Sequence, residues 1–187
     1  MRIVITSMIG LAIIGYTVYD QREYLFTFSA EDICRKAYGV NPFHGSLSIG
    51  EYINKNSDQN DTVAVLGSEP QICFYAMRRS ATSYIYMYPL MESNPQAQRM
   101  QLDMISQIEK AKPKIMVFAA VNTSWLNRPG SPQDIFNWSE TYINDSYDKV
   151  GLIDIPKSGR DIYYWDDMAK NKSPESKYWV AVFKRRN

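Results

Sequence analysis

The hydrophobic and polar positions of the chain fall into one uninterrupted apolar run followed by short alternating patterns. Ile3 to Tyr19 reads IVITSMIGLAIIGYTVY, without charge or proline. As a helix this run rises roughly 26 Å, slightly short of a hydrocarbon core. Tyr16, Tyr19 and Tyr24 lie at or just past its end, where an aromatic belt belongs. A membrane helix, a secretory signal and a buried core helix all share such a run. The exit Tyr-Thr-Val-Tyr-Asp lacks the small-x-small cleavage site of a signal peptide. All-round hydrophobicity ahead of a polar domain is unusual for a core helix. Residues 1–24 are therefore read as a transmembrane helix. Arg2 before the run, with Asp20, Arg22 and Glu23 after it, places the start in the cytoplasm and the bulk of the chain outside the inner membrane.

Residues 25–45 read as a neck. Ala30 to Tyr38 predicts a short helix, capped by Ser29 and stopped by Gly39. Residues 46–187 alternate between two periods. Ser48 to Asn56 predicts an amphipathic helix with Ile49, Tyr52 and Ile53 on one face. Asp61 to Gly67 predicts a short strand, and Ser68 to Met77 a helix with Ser68 as its cap and Glu69 and Pro70 in its first turn. Thr82 to Tyr88 is expected to be a strand with Tyr84, Tyr86 and Tyr88 on one side. Asn94 to Lys112 is the clearest helix, and Lys114 to Val121 a strand buried on both faces. A helix over Ser131 to Asp145 and strands over Lys149 to Ile155 and Tyr178 to Lys184 complete the pattern. The fold class expected is α/β: a mainly parallel, three-layer sheet domain with an antiparallel edge.

Composition narrows the function classes. Hydrophobic residues make up 45% of the 187 and charged residues 22%, which is the balance of a folded chain able to bury its own core. A net charge of +1 gives no concentrated basic surface for nucleic acid. Lys184, Arg185 and Arg186 read as a solvated tail. Two distant cysteines, Cys34 and Cys73, and the single His44 are too few for a structural zinc. The cysteines are read as free buried thiols, with a bridge as the alternative outside the cytoplasm. No metal site and no cofactor fingerprint is found: GxGxxG and GxxxxGK[ST] are both absent.

The remaining candidates are binding residues. The turn Gly67-Ser68-Glu69-Pro70-Gln71 sits where ligands favour an open α/β sheet, at a strand's carboxyl end. Glu69 there is either a ligand contact or a helix-capping acid. Arg78 and Arg79 either clamp an anion or stabilise a helix C-terminus. Asn122-Thr-Ser-Trp-Leu-Asn-Arg128 follows the buried strand. It reads equally as a sugar-stacking or head-group site and as a loop with Trp125 folded into the core. No GxSxG elbow accompanies His44, which is read as a surface residue. Neither Glu31-Asp32 nor Asp166-Asp167 can converge as a carboxylate dyad. No catalytic residue is assigned.

Val65 to Thr82, VLGSEPQICFYAMRRSAT, and Tyr84-Ile-Tyr-Met-Tyr-Pro-Leu-Met91 resemble the C-terminal domain of bacterial GT-C-type, dolichyl-phosphate-mannose–protein mannosyltransferase-like glycosyltransferases. Tyr38-Gly-Val-Asn-Pro-Phe43, Ile49-Gly-Glu-Tyr-Ile53, Thr123-Ser-Trp-Leu126, Ile135-Phe-Asn-Trp138, Val150-Gly-Leu-Ile-Asp154 and Trp179-Val-Ala-Val-Phe183 look similar as well. The resemblance implies transfer of a sugar from a polyprenyl-phosphate donor outside the cytoplasm, by an acidic residue among membrane helices that this chain lacks. It implies that this chain alone is not the enzyme. It would be a non-catalytic domain beside the membrane-embedded catalytic helices of a transferase, assisting acceptor or lipid-phosphate binding through Glu69, Gln71, Arg78, Arg79, Tyr86, Trp125 and Arg128. The alternatives are a free-standing module binding a small phosphorylated ligand beside Gly67, and a structural partner of a membrane complex.

Overall fold

In the computed structural model, which describes residues 2–186, the chain divides into two units, Met1–Gly39 and Val40–Asn187. The first holds three helices: α1 (Arg2–Asp20), α2 (Arg22–Phe26) and α3 (Ala30–Tyr38). Ile3–Asp20 is long and apolar enough to cross a membrane, and none of that stretch is buried within the chain. The α3 helix starts on a capping box. The Ser29 hydroxyl accepts the Asp32 N–H, and the Asp32 carboxylate accepts the Ser29 N–H in return, satisfying two donors a helix start leaves open. Gly39, at φ +61°, ends it in a conformation that glycine adopts without a Cβ penalty.

The second unit begins at Val40, inside the stretch read as neck, because α4 (Phe43–Asn56) starts earlier than its periodicity indicates. It continues through β1 (Thr62–Leu66), α5 (Gln71–Ala76), β2 (Arg79–Ser80), a 3₁₀ turn over Tyr88–Met91, α6 (Pro95–Ala111), β3 (Ile115–Ala120), α7 (Asn122–Trp125) and α8 (Asp134–Ser146). It closes with β4 (Tyr147–Ile155), β5 (Ile162–Trp165), α9 (Asp167–Lys170) and β6 (Tyr178–Arg185). The six strands form one sheet in the order β2-β1-β3-β6-β4-β5.

The sheet is mixed, which corrects the expectation of a mainly parallel one. β1 runs parallel to β2 and β3, but β6 is antiparallel to both β3 and β4, and β5 is antiparallel to β4. For β5 the cause is connection length. A parallel return needs a crossover of a dozen or more residues. The link from Ile155 to Ile162 is far too short for that, so β4 and β5 can only pair as a hairpin. Strands β2 and β5 carry no signal long enough to be expected from the sequence.

Alternation along β1 divides the core. Val63 and Val65 join Ile49 and Ile53 of α4 and Ile72 and Ala76 of α5. Ala64 and Leu66 join Met104 and Ile108 of α6 and Ile135 and Ile143 of α8. A buried amide fixes the second group. Gln101 donates to the Leu90 and Pro132 carbonyls at 2.8 and 2.9 Å and accepts the Ile135 N–H at 3.0 Å. It thereby holds the start of α8.

Two further expectations are corrected. Thr82 to Tyr88 is not a strand. Its N–H groups go to side chains instead of a ladder: Ser83 to Gln107, Tyr84 to Thr82, and Met87 to Ser68. Met87 is buried while Tyr86 and Tyr88 are exposed, so the alternation is real but belongs to an irregular segment lying on the core. The C-terminal basic cluster is not a solvated tail. Lys184 and Arg185 lie in β6, and Arg186 donates to the carbonyls of Asn144, Asp145 and Tyr147 at the end of α8, where a cation also suits the helix dipole.

Candidate functional site

β1 and β3 end side by side, with Leu66 opposite Phe118, and the turns that follow them are tied together. The Ser68 hydroxyl donates to the Ser124 carbonyl at 2.6 Å and accepts the Met87 N–H at 2.9 Å. Ser68 therefore joins three segments and is not the cap expected of it; α5 starts three residues later. Glu69 is buried, 4% exposed. Its Oε1 accepts from the Ser124 hydroxyl, while Oε2 is buried with no hydrogen-bond partner among the described residues. Burial pushes its carboxyl up to about 7, against a smaller opposing effect of the Ser124 bond. Gly67 makes room for it: at φ +150°, a Cβ there would lie 2.2 Å from Glu69 Oε2 and 2.8 Å from the Ala119 Cβ.

Beside this knot the carboxyl end of β3 opens into a cavity of about 560 Å³, walled by Phe118, Trp125 and Phe136 and carrying Asn122, Asn127 and Lys177. The Trp125 indole donates to the Ala119 carbonyl at 2.8 Å, and its ring sits 4.5 Å from Phe136 and 5.8 Å from Phe118. With its N–H satisfied inside, Trp125 offers the cavity an apolar ring. Leu126 follows at φ +53° and lines the same space. A left-handed leucine costs about 1 kcal/mol or more. Lys177 arrives on the loop before β6. That loop is anchored by Asp154, a carboxylate 1% exposed that accepts the Glu175 and Ser176 N–H groups at 2.8 and 2.9 Å.

The seven residues named from the sequence do not converge. Glu69 and Trp125 meet through Ser124 at the carboxyl end. Tyr86 is exposed near that end with its ring 6.0 Å from Tyr88. Arg128 is also exposed and pairs with Glu92 at 3.2 Å. Gln71 donates to the Ser46 hydroxyl at 3.0 Å, linking α5 to α4. Arg78 and Arg79 lie at the opposite end of the sheet, since Arg79 is level with Thr62, the first residue of β1. The Arg78 guanidinium donates to the Asn54 and Ser57 carbonyls and to the Ser57 hydroxyl at 2.6–3.0 Å, and to the Ala76 carbonyl at 3.2 Å. It holds two helix C-termini and does not face Gly67. The space beside Gly67 is only about 40 Å³ and is lined by Val65, Pro70 and Tyr84, so the geometry expected of a phosphate module there is not formed.

Phe118, Phe136, Asp154 and Lys177 carry no local sequence signal; only the fold brings them to β3. His44 bonds the Tyr163 hydroxyl at 3.1 Å. Cys34 and Cys73 are both free, and burial pushes the Cys73 thiol up to about 11. Among the described residues, no group of three histidine, cysteine or acidic side chains includes Glu69. No family model, curated protein or solved structure matches the chain.

Proposed function

We propose that this chain is a membrane-tethered, extracytoplasmic binding domain that serves a polytopic glycosyltransferase using a polyprenyl-phosphate sugar, and that it performs no chemistry itself. The observation that carries the reading is the pairing of an unburied apolar helix of membrane length with an α/β unit whose open cavity is walled by aromatic rings and edged with amides. Rings that offer flat apolar faces, with amides at their margin, suit a sugar, whose C–H faces are apolar and whose edges hydrogen-bond. The two core clusters are read as the two interfaces of a three-layer domain. The outward orientation of the second unit is supported by Arg2 ahead of the apolar run Ile3 to Tyr19, with Asp20 and Glu23 after that run.

Two measurements test this. The full chain, expressed in bacteria, should stay with membranes after alkaline carbonate extraction, and protease applied from the outer side should remove the second unit. Deletion of residues 2–20 should release the chain. A photo-crosslinker at Tyr86 or Leu126, both exposed, should capture a polytopic membrane protein from the native envelope. A chain that extracts with carbonate, or crosslinks only to soluble proteins, would refute the reading.

A further inference from the structure

We infer that the cavity at the carboxyl end of β3 selects a pyranose ring carrying a single negative charge. This deepens the proposed role and rests on it. Three features of the cavity lead there. Its walls are the rings of Phe118, Trp125 and Phe136, and Trp125 keeps its one polar atom on the Ala119 carbonyl, so the wall is apolar where a sugar face would lie. Among the described residues the side-chain amide of Asn122 and the amide nitrogen of Asn127 make no hydrogen bond, and both residues are exposed and line the cavity; the Asn122 carbonyl is taken by the Leu126 N–H at 2.9 Å, and the Asn127 oxygen meets the Gln133 amide at 3.4 Å. These amides can serve ring hydroxyls as donors and acceptors.

The third feature is charge. Lys177 is the one cation lining the cavity, and among the described residues it has no carboxylate partner, only the Tyr178 ring 5.8 Å away. Among the described residues no acidic side chain lines the space with it. One ammonium balances one negative charge, as in a uronic acid or a glycosyl phosphodiester. A phosphomonoester, nearly a dianion at pH 7, would remain half-compensated. The lysine is also held ready. The buried Asp154 carboxylate fixes the Glu175 and Ser176 N–H groups just before it, so the loop needs little further ordering when a ligand enters. The left-handed Leu126 at the same rim is the kind of local strain that accumulates at ligand sites.

Calorimetry on the full chain in detergent micelles tests this with three water-soluble probes: a neutral methyl glucoside, the corresponding methyl glucuronide, and a glucosyl methyl phosphodiester. One anion or both should bind about tenfold more tightly than the neutral sugar, and the preference between them identifies carboxylate or phosphodiester as the charge recognised. Lys177→Met, an exposed change that keeps the stem, should abolish the preference, bringing the charged probes to the affinity of the neutral sugar. Phe136→Leu should weaken all three. Equal affinity for neutral and charged sugars, an unchanged preference in Lys177→Met, or no binding of any probe at millimolar concentration would overturn the proposal. Because no lipid or partner enters the experiment, its failure would leave the tether and crosslinking tests standing. A chain that failed those tests could still show the charge preference.

Discussion

Replacing Glu69 with glutamine separates burial from charge at the most enclosed point of the sheet's carboxyl end. The carboxyl is 4% exposed, has one oxygen on the Ser124 hydroxyl, and has the other without a partner. Its value rises from 4.5 in the open chain to about 7 in the fold. Between those two pH values the unfolded chain has released this proton while the native chain still holds it, so the native state binds more protons and stability falls as pH rises. Below 4.5 both states are protonated and the contribution is fully present; above about 7 it has been lost. At about 1.4 kcal/mol per pH unit, the loss amounts to about 3 kcal/mol, a large share of a typical folding free energy. Glutamine preserves the Ser124 acceptor and cannot ionise. Urea unfolding of the full chain in mild detergent, followed by tryptophan fluorescence from pH 4 to 8, gives both curves. The wild type should lose about 3 kcal/mol relative to Glu69→Gln across this window, and the four tryptophans, all in the second unit, report its unfolding. Parallel curves would refute the reasoning, because they would mean that water reaches Oε2 and the charge is not confined.

Further changes test how the surrounding frame is held. Arg78→Met should destabilise the chain by about 2–3 kcal/mol, since its guanidinium serves the ends of α4 and α5, whereas Arg79→Ala, exposed on β2, should stay within about 0.5 kcal/mol; chemical denaturation separates the two, and equal effects would contradict the clamp. Gly50→Ala normally favours a helix interior by about 1 kcal/mol, yet here the added carbon would meet the Tyr75 Cβ at 2.4 Å and its carbonyl carbon at 2.9 Å, so a net loss of about 1–3 kcal/mol is expected in the same assay. Asp154→Asn should leave one of two backbone N–H groups without its acceptor and cost about 1–3 kcal/mol, with the Lys177-dependent sugar preference weakened in parallel; a destabilised variant with unaltered preference would separate the anchor from the site.

The sequence was informative wherever a pattern was both local and long. The apolar stretch of α1, the Ser29 cap of α3, the stripe of Met104 and Ile108 on α6 and the continuous run of β3 each declare themselves within one element, and each forms close to where periodicity puts it. Thr82 to Tyr88 misled because alternation records which side chains face the core, not whether the backbone finds a ladder. Ser68 and Gln107 supplied hydrogen-bond partners from elsewhere. Arg78 and Glu69 sit close in sequence but at opposite ends of the sheet, because α5 runs back across it between them. Trp125 was legible as two alternatives, and the structure contains part of each: the indole is 5% exposed and bonded inward, and its ring still walls the cavity. Lys177 and Asp154 could not be found from the sequence, since nothing local links residues that come together only through strand order.

That strand order is what makes a cavity out of the β3 end. Because β6 runs antiparallel to β3, with Trp179 opposite Ala120, the loop that enters β6 lies at the end where β3 finishes. In a fully parallel sheet the loop entering a neighbouring strand would lie at the other end, and no lysine from it could reach Phe118 or Trp125. β4 is antiparallel to β6 in turn, with Asp154 opposite Trp179, so it finishes at that same end and delivers the carboxylate that fixes the incoming loop. One reversal of direction within the sheet therefore brings together an aromatic wall from β3 and α7, a cation from the loop before β6, and the anchor from β4. The departure from a parallel sheet and the presence of this cavity are thus one structural fact. A change that loosened the β3–β6 pairing near Ala120 and Trp179 should remove the charge preference before it unfolds the parallel half of the sheet, a sequence that hydrogen exchange of the two halves would resolve.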